Sequence, residues 1–288
     1  MIKGVILAAG KGSRLNPVTN YINKHLLPVY DKPMIFYPLS ILMLAGVKQI
    51  LIIVNPGDIE NYEALFGNGE HLGINIIYEV QEKPNGIAEA LNISRSFIKK
   101  DNFFLILGDN FFYGQYLKNF LYNAQKNKDK ATLFAYPVQD TNQYGIITLK
   151  GKKIIKIIEK PKKTNSNLAV TGLYYYPNEV LKMYNKLKPS KRGELEITDI
   201  NNILIKKKKV ELSIFGRGFS WLDMGTFENL LETGVFIKTL EKRHGFKIAV
   251  LEEIAFKQKF INLKKIKKII KNNTNNSEYL KKIIKSIS

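Results

Sequence analysis

Residues Val5 to Arg14 read VILAAGKGSR, an apolar, β-prone run that breaks into a glycine-bearing turn and ends on serine and arginine. A triphosphate needs backbone N–H groups turned toward it, and glycine lets a chain form such a concave nest without steric cost. Gly10 and Gly12 supply that freedom, and Arg14 adds a planar cationic fork suited to phosphate oxygens. The loop is not a Walker loop, because Gly12 is followed by Ser13 and Arg14 rather than by Lys-Ser or Lys-Thr. Nor is it a dinucleotide fingerprint, since Leu15 stands where a third glycine belongs. The turn therefore points to some other nucleotide- or phosphate-handling class.

Two carboxylates complement it. Asp109 lies in FFLILGDN, where an apolar strand delivers an acid to the carboxyl edge of a sheet, and Asp223 lies in SWLDMGT, just before a helical pattern. Each alone could be a turn or helix-cap residue. Together they could hold one hard cation of the Mg²⁺ type through their oxygens, with phosphate oxygens filling the remaining positions. Lys24, in INKHLLP, precedes Pro28 by a few residues, and Lys160, in IIEKP, directly precedes Pro161. The proline ring predicts an extended backbone at Lys160 that would aim its side chain. Plain solvent exposure is the alternative reading for any lysine in so lysine-rich a chain.

The elements needed to position these groups follow from the patterning. Strand runs at Val5–Ala9, Ile50–Val54, Ile74–Val80, Phe103–Leu107 and Ala131–Tyr136 alternate with helical patterns at Ile35–Ala45, Ile87–Ile98 and Tyr116–Asn127. Such alternation predicts an α/β fold: a doubly wound, mostly parallel, Rossmann-like sheet with right-handed crossovers and its ligands at the strands' carboxyl ends. Gly145–Leu149 and Lys153–Ile158, joined at Gly151, predict an antiparallel hairpin insertion. A strand at Ala169–Tyr176, helices at Asn178–Lys186 and Ile197–Lys206, a strand at Val210–Phe215 and a long helix from Thr226 to Arg243 follow. We read 1–288 as one domain, with a nucleotide-binding core at 1–140, a sugar-binding and metal-completing part at 141–243, and C-terminal helices at 244–288 expected to form an interface.

Composition narrows the classes. The 288 residues contain no cysteine, which excludes disulfides, thiolate metal sites and cysteine nucleophiles. His25, His71 and His244 are too scattered for a zinc motif. No signal-like segment precedes the first strand, and the longest apolar stretch, Met34 to Val47, contains Pro38 and is short of the ~20 residues a bilayer span needs. A cytoplasmic protein without a membrane span is expected. The formal net charge of +20 raises polyanion binding on the same fold as an alternative function. Only five of the 45 basic residues are arginine, however, and the lysines fall in solvated-looking runs such as Lys206 to Lys209, which favours a lysine-rich surface with no nucleic-acid partner. In the tail, Leu263, Ile266, Ile270, Leu280, Ile283 and Ile284 recur at helical spacing, and packing on the body or a neighbouring subunit is favoured over a membrane-surface helix.

Beyond these local signals, the ordered segments LAAGKGSRL, KHLLPVYDKPMI, YPLSILMLAGV, LGDNFFYG, QYGIITL, EKPKKTNSNLAVTGLYYY, KPSKRGELEITDIN, WLDMGTFENLLE and EEIAF resemble the sugar-1-phosphate nucleotidylyltransferases over nearly the full length. Within that family the resemblance is to the branch using dTTP and α-D-glucose 1-phosphate. It implies a Mg²⁺-dependent reaction giving dTDP-glucose and pyrophosphate, on the route to deoxysugars such as rhamnose. The sugar phosphate is then itself the nucleophile at the α-phosphorus, and the protein acts by positioning and charge neutralisation. By the same resemblance, Ala9, Gly10, Gly12, Ser13, Arg14, Lys24 and His25 would surround the triphosphate, with Gln81 and Gly86 reading thymine. Asp109 and Asp223 would bind Mg²⁺, and Asn110, Tyr144, Gly145, Glu159, Val170 and Tyr174 would form the glucose pocket, with Lys160 on its phosphate. Arg14, Lys24, Lys160 and Asp109 would carry the catalysis. A homotetramer with a second site for an inhibitory dTDP-sugar is also implied.

Two positions depart from the branch's usual pattern. Ala9 stands in place of a first glycine, an alanine frequent in related uridylyltransferases, which leaves a UTP-using or relaxed-specificity enzyme as the near alternative. His25 replaces a glutamine. It could titrate near neutrality and shape the pH profile, or be a structural histidine at the pocket's edge.

Overall fold

A computed structural model describes residues 1–190, 192–272 and 275–287. Lys191, within the KPSKRGELEITDIN segment, lies outside the described residues. In chain order the elements begin with β1 (Ile2–Ala8), a short pair β2 (Pro28–Val29) and β3 (Lys32–Pro33), α1 (Phe36–Leu44), β4 (Gln49–Val54), α2 (Ile59–Phe66), β5 (Asn75–Val80), α3 (Glu89–Ile93), α4 (Arg95–Ile98) and β6 (Asn102–Leu107). They continue with β7 (Asn110–Gly114), α5 (Leu117–Lys126), β8 (Ala131–Pro137), the hairpin β9 (Gly145–Lys150) and β10 (Lys153–Glu159), and β11 (Leu168–Tyr176). The last part holds α6 (Ile197–Lys206), β12 (Val210–Ile214), β13 (Phe219–Asp223), α7 (Phe227–His244), α8 (Leu251–Lys257), α9 (Leu263–Lys271) and α10 (Ser277–Ile287).

A nine-stranded sheet runs β10-β9-β11-β6-β1-β4-β5, with β8 on β11 and β12 on β8. The pairs β1–β4, β1–β6, β4–β5 and β8–β12 are parallel. Only β10 and β11 run against the other strands, so the sheet is mostly parallel with an antiparallel hairpin, as the patterning predicts. Alternation along each strand divides the core between the faces. Ile6, Ile50, Ile52 and Val54 face a cluster with α1 and α8, whereas Val5, Leu51, Ile53 and Leu105 face one with α3 and α6. Both faces are covered, which explains why these strands read as continuous apolar runs.

Several local expectations change. The helix expected over Ile87–Ile98 divides at Ser94, whose hydroxyl donates to the Ala90 carbonyl at 2.6 Å and competes with the backbone ladder. Asn178–Lys186 winds as a 3-10 segment instead of an α-helix. The tail forms two helices, α9 and α10, whose Ile266 and Leu280 are buried in the main core, with Ile283 also buried. Its lysine-rich amphipathic pattern thus packs on the protein's own body. No helix among the described residues is long and apolar enough to cross a membrane.

The element that matters most for the site lies off the main sheet. β7 and β13 form an antiparallel ribbon pairing Asn110 with Asp223, Phe111 with Leu222 and Phe112 with Trp221. Beneath it sits a third apolar cluster containing Met34, Tyr37, Phe111, Met224 and Ile237. Phe111 is fully buried there, with its ring 5.4 Å from Tyr37 and 6.0 Å from Phe236, both edge-on. This ring ties the ribbon to α1 and α7, and its removal leaves a cavity. Phe111→Ala is expected to cost about 3–5 kcal/mol, read as a lower urea midpoint at unchanged slope.

Candidate active site

The ribbon decides where the carboxylates stand. Asp109 immediately precedes β7 and Asp223 ends β13, and the Met224 N–H donates to the Asp109 carbonyl at 2.9 Å, extending the pairing past the strand ends. Two acids 114 positions apart in sequence are thereby fixed side by side. Each feels the other. Burial raises Asp109, but the Lys24 ammonium, His25 and hydrogen bonds from Lys24 and Asn110 outweigh it and hold the carboxyl well below the ordinary carboxylate range. Burial, then the Asp109 charge, push Asp223 up to about 6 against the pull of Arg14, Lys24 and the Gly225 backbone N–H. The Asp223 Oδ1 atom is buried without a hydrogen-bond partner among the described residues. A buried carboxylate oxygen left bare beside a second carboxylate is the arrangement a divalent cation satisfies.

The glycine turn is shaped around Lys24. Gly12 lies in the left-handed region at φ 65°, and a Cβ there would stand 3.0 Å from the Lys24 Cβ. A Cβ on Gly10 would stand 3.2 Å from Lys24 Cε. The lysine stem thus runs along the turn and delivers Nζ to Asp109 Oδ2 at 2.5 Å. Gly225 performs the same service for Arg14, since a Cβ at that position would strike Arg14 Nη2 and approach Asp223 Oδ1 to 2.7 Å. Leu15, one of the largest fully buried side chains, anchors the far end of the turn.

A cavity of about 230 Å³ opens beside the carboxylates. Its walls hold Arg14, Asp109, Asn110 and Asp223 together with Tyr144, Gly145, Glu159, Lys160, Val170 and Tyr174. All the residues expected for sugar phosphate and metal therefore converge on one space. Glu159, opposite Gly145 in the β9–β10 register, accepts a hydrogen bond from the Thr198 hydroxyl at 2.5 Å. Any side chain at Gly145 would crowd that carboxylate, with a Cβ only 3.2 Å from Oε2.

Of the residues expected for the nucleotide, Arg14 and Asp109 reach this cavity; the others lie beside it. Ala9 is buried, and Ser13 opens the short 3-10 turn Ser13–Leu15 that follows Gly12. Gln81 is buried, and its Nε2 donates to the Gly86 carbonyl at 3.4 Å, so the two meet, but neither lines the cavity; Ile87 does. Gly86 adopts φ 100° where a Cβ would collide with the Leu195 backbone, which stitches the 81–88 loop to the segment before α6.

One expectation is corrected. Lys160 is not extended: its φ is 42°, in the left-handed region, despite the following proline. Its N–H donates to the Tyr144 carbonyl at 3.0 Å, and this bond at the end of β10 sustains a conformation that costs on the order of 1–3 kcal/mol. Of the two readings of His25, the geometry favours the structural one: it is 2% exposed, packed over Gly108, with Nδ1 2.8 Å from Asn23 Oδ1, and burial, reinforced by Lys24, lowers it to about 3.

Among the wall residues that sequence reading missed are Arg192, Glu196, Thr198 and Trp221. Arg192 reaches Glu196 through two nitrogens and Glu159 at 3.5 Å, Thr198 bonds Glu159, and Trp221 donates through Nε1 to Asn110 Oδ1 at 2.6 Å. Arg192, Glu196 and Thr198 sit inside the quoted KPSKRGELEITDIN segment and Trp221 inside WLDMGTFENLLE; the signal was present, but nothing local in it shows that these side chains turn inward.

Comparison with known proteins agrees with this geometry. The family model for nucleotidyl transferases matches residues 3–239. Over 287 residues, 99% of this chain and 100% of the relative, the sequence is 43% identical to a glucose-1-phosphate thymidylyltransferase of Neisseria meningitidis serogroup A. It is 46% identical over 268 residues to the protein of that name from Xanthomonas campestris pv. campestris, covering 93% of this chain and 91% of the relative. A crystal structure of a Bacillus anthracis protein described as a glucose-1-phosphate thymidylyltransferase, in complex with sucrose, superposes with a TM-score of 0.77 at 37% identity, covering 82% of this chain and 95% of that one. A UDP-glucose pyrophosphorylase complexed with UDP-glucose superposes with a TM-score of 0.73 at 26% identity, over 85% and 100% of the two chains. The chain belongs to the nucleotidyl transferase family, among its glucose-1-phosphate thymidylyltransferases.

Proposed function

We propose that the protein joins dTTP to α-D-glucose 1-phosphate, giving dTDP-glucose and pyrophosphate, with Mg²⁺ held by Asp109 and Asp223. The observation that carries this reading is a single cavity lined by a carboxylate pair and Arg14 together with a Glu159–Lys160 pair. Glu159 offers carboxylate oxygens to sugar hydroxyls, while Lys160 beside it places a cation on the sugar's phosphate. That phosphate oxygen attacks the α-phosphorus in line with departing pyrophosphate, and Arg14 and Lys24 neutralise the leaving group. When bound, Mg²⁺ supplies further neutralisation of the triphosphate. No side chain need become covalently attached. Work in the cytoplasm toward deoxysugars such as dTDP-rhamnose, assembly as a homotetramer and inhibition by a dTDP-sugar belong to the same reading. Pyrophosphate release with Mg²⁺, glucose 1-phosphate and each of dTTP, UTP, CTP and ATP tests it. Release is expected fastest with dTTP. A preference for UTP, which Ala9 and the UDP-glucose pyrophosphorylase likeness would favour, overturns the base assignment, and no release with any nucleotide overturns the reaction.

The elevated Asp223 makes two further outcomes specific. Its folded value of about 6 lies above the ordinary 3.8, so the folded chain holds the extra proton between those pH values, and the cost of ionising Asp223 in place persists above pH 6. Without metal, Asp223→Asn is therefore expected to melt several degrees above the wild type at pH 7.5, while losing at least roughly 100-fold in kcat/KM. A variant that melts lower would contradict the shift.

At limiting Mg²⁺ the wild-type rate should fall as pH drops through about 6, with the midpoint moving to lower pH as Mg²⁺ is raised, because metal and proton compete for one carboxylate. His25→Gln should leave that profile unchanged, since His25 is neutral throughout it. A profile whose midpoint ignores Mg²⁺ would remove Asp223 from the metal.

A further inference from the structure

Asn110 lines the cavity beside Asp109, and its side chain is almost wholly committed to the protein. It is 2% exposed. Its Oδ1 accepts two hydrogen bonds, from the Trp221 indole at 2.6 Å and from the Gly172 N–H at 3.0 Å. Its Nδ2 donates to Asp109 Oδ1 at 3.0 Å. An amide offers two N–H donors and one carbonyl, so a single hydrogen remains for any ligand. The site is built tightly around this arrangement: a Cβ on Gly172 would stand 2.5 Å from Asn110 Oδ1.

The partners come from three different elements. Trp221 lies on β13, Gly172 on β11 of the main sheet, and Asn110 on β7. The Trp221 ring also lies 5.0 Å from the Tyr144 ring in the wall of the cavity. Because Oδ1 is bound to two N–H donors, the amide cannot flip, and its Nδ2 must face Asp109. The two oxygens of Asp109 then have separate holders, with Asn110 on Oδ1 and Lys24 on Oδ2.

Resting on the proposed metal role of Asp109, we propose that Asn110 is a positioning residue for the metal carboxylate, locked by Trp221 and Gly172, and that Trp221 makes metal affinity sensitive to what occupies the sugar pocket. A ligand that shifts Tyr144 moves against the Trp221 ring, and the indole N–H carries that displacement to the amide and so to Asp109. Outer partners that orient a metal ligand are typically worth 10–100-fold in metal affinity.

Trp221 is the single tryptophan of the chain, which supplies a direct reporter. In the wild type, adding Mg²⁺ to the nucleotide complex should shift Trp221 emission although the indole is not a metal ligand. Mn²⁺ affinity of the same complex, measured by the loss of the free-ion paramagnetic resonance signal, should weaken at least 10-fold in Asn110→Ala and several-fold in Trp221→Phe. Glucose 1-phosphate should tighten Mn²⁺ binding in the wild type and not in Trp221→Phe. Variants that bind Mn²⁺ like the wild type, with only the KM for glucose 1-phosphate raised, would make Asn110 a plain sugar contact and overturn the proposal. If the variants fail to fold, an unmoved wild-type emission on adding Mg²⁺ overturns it alone. A wild type that takes up no Mn²⁺ would instead overturn the metal role of the two aspartates on which the proposal rests.

Discussion

The site depends on one antiparallel pairing. The β7–β13 ribbon places Asp109 and Asp223 at adjacent rungs, where two anions buried together repel and lose their hydration. Nothing local would choose that arrangement for stability. It persists because the ribbon is clamped from outside: Phe111 and Met224 are sunk into a cluster with α1 and α7, and the Asn110 amide ties the ribbon to β11. Lys24 and Arg14 then offset the charge from the connection between β1 and β2. The fold supplies the constraint, and the constraint leaves one carboxylate oxygen without a partner.

Space for these cations is made by omission. Gly10 and Gly12 leave a groove in which the Lys24 stem lies, and Gly225 leaves room for the Arg14 guanidinium beside Asp223. The VILAAGKGSR turn is thus a housing for the Lys24 stem. In the protein Lys24 pairs with Asp109; under the proposed reaction it would also face the triphosphate held by the turn. The chemistry requires charge that can be redistributed among fixed groups, and a long flexible ammonium beside a rigid carboxylate pair provides it.

The main sheet was legible because its strands are buried on both faces and read as unbroken apolar runs, and the β9–β10 hairpin because Gly151 punctuates it. The ribbon was not. FFYG and FSWLD are five residues or fewer of mixed polarity, and their partnership spans over a hundred positions, so no local period announces them. Asp109 and Asp223 could be selected as an acid after a strand and an acid before a helix, and Glu159 and Lys160 by family likeness, but their convergence on one cavity is a property of the three-dimensional pairing. The left-handed Lys160 defeats a rule about residues before proline, because a backbone bond to Tyr144 outweighs a local preference. His25 stayed open between two readings for a related reason: its ring is titratable by type, and the burial that lowers it is invisible to a residue's identity.

The central claim is that the paired aspartates form one metal site facing the turn. The most direct test is anomalous diffraction from crystals grown with Mn²⁺ and a non-hydrolysable dTTP analogue. A single strong peak roughly 2 Å from carboxylate oxygens of both Asp109 and Asp223, with analogue phosphates completing the shell, is the predicted result. A peak bound by only one of them, or held by phosphates away from both, would contradict it.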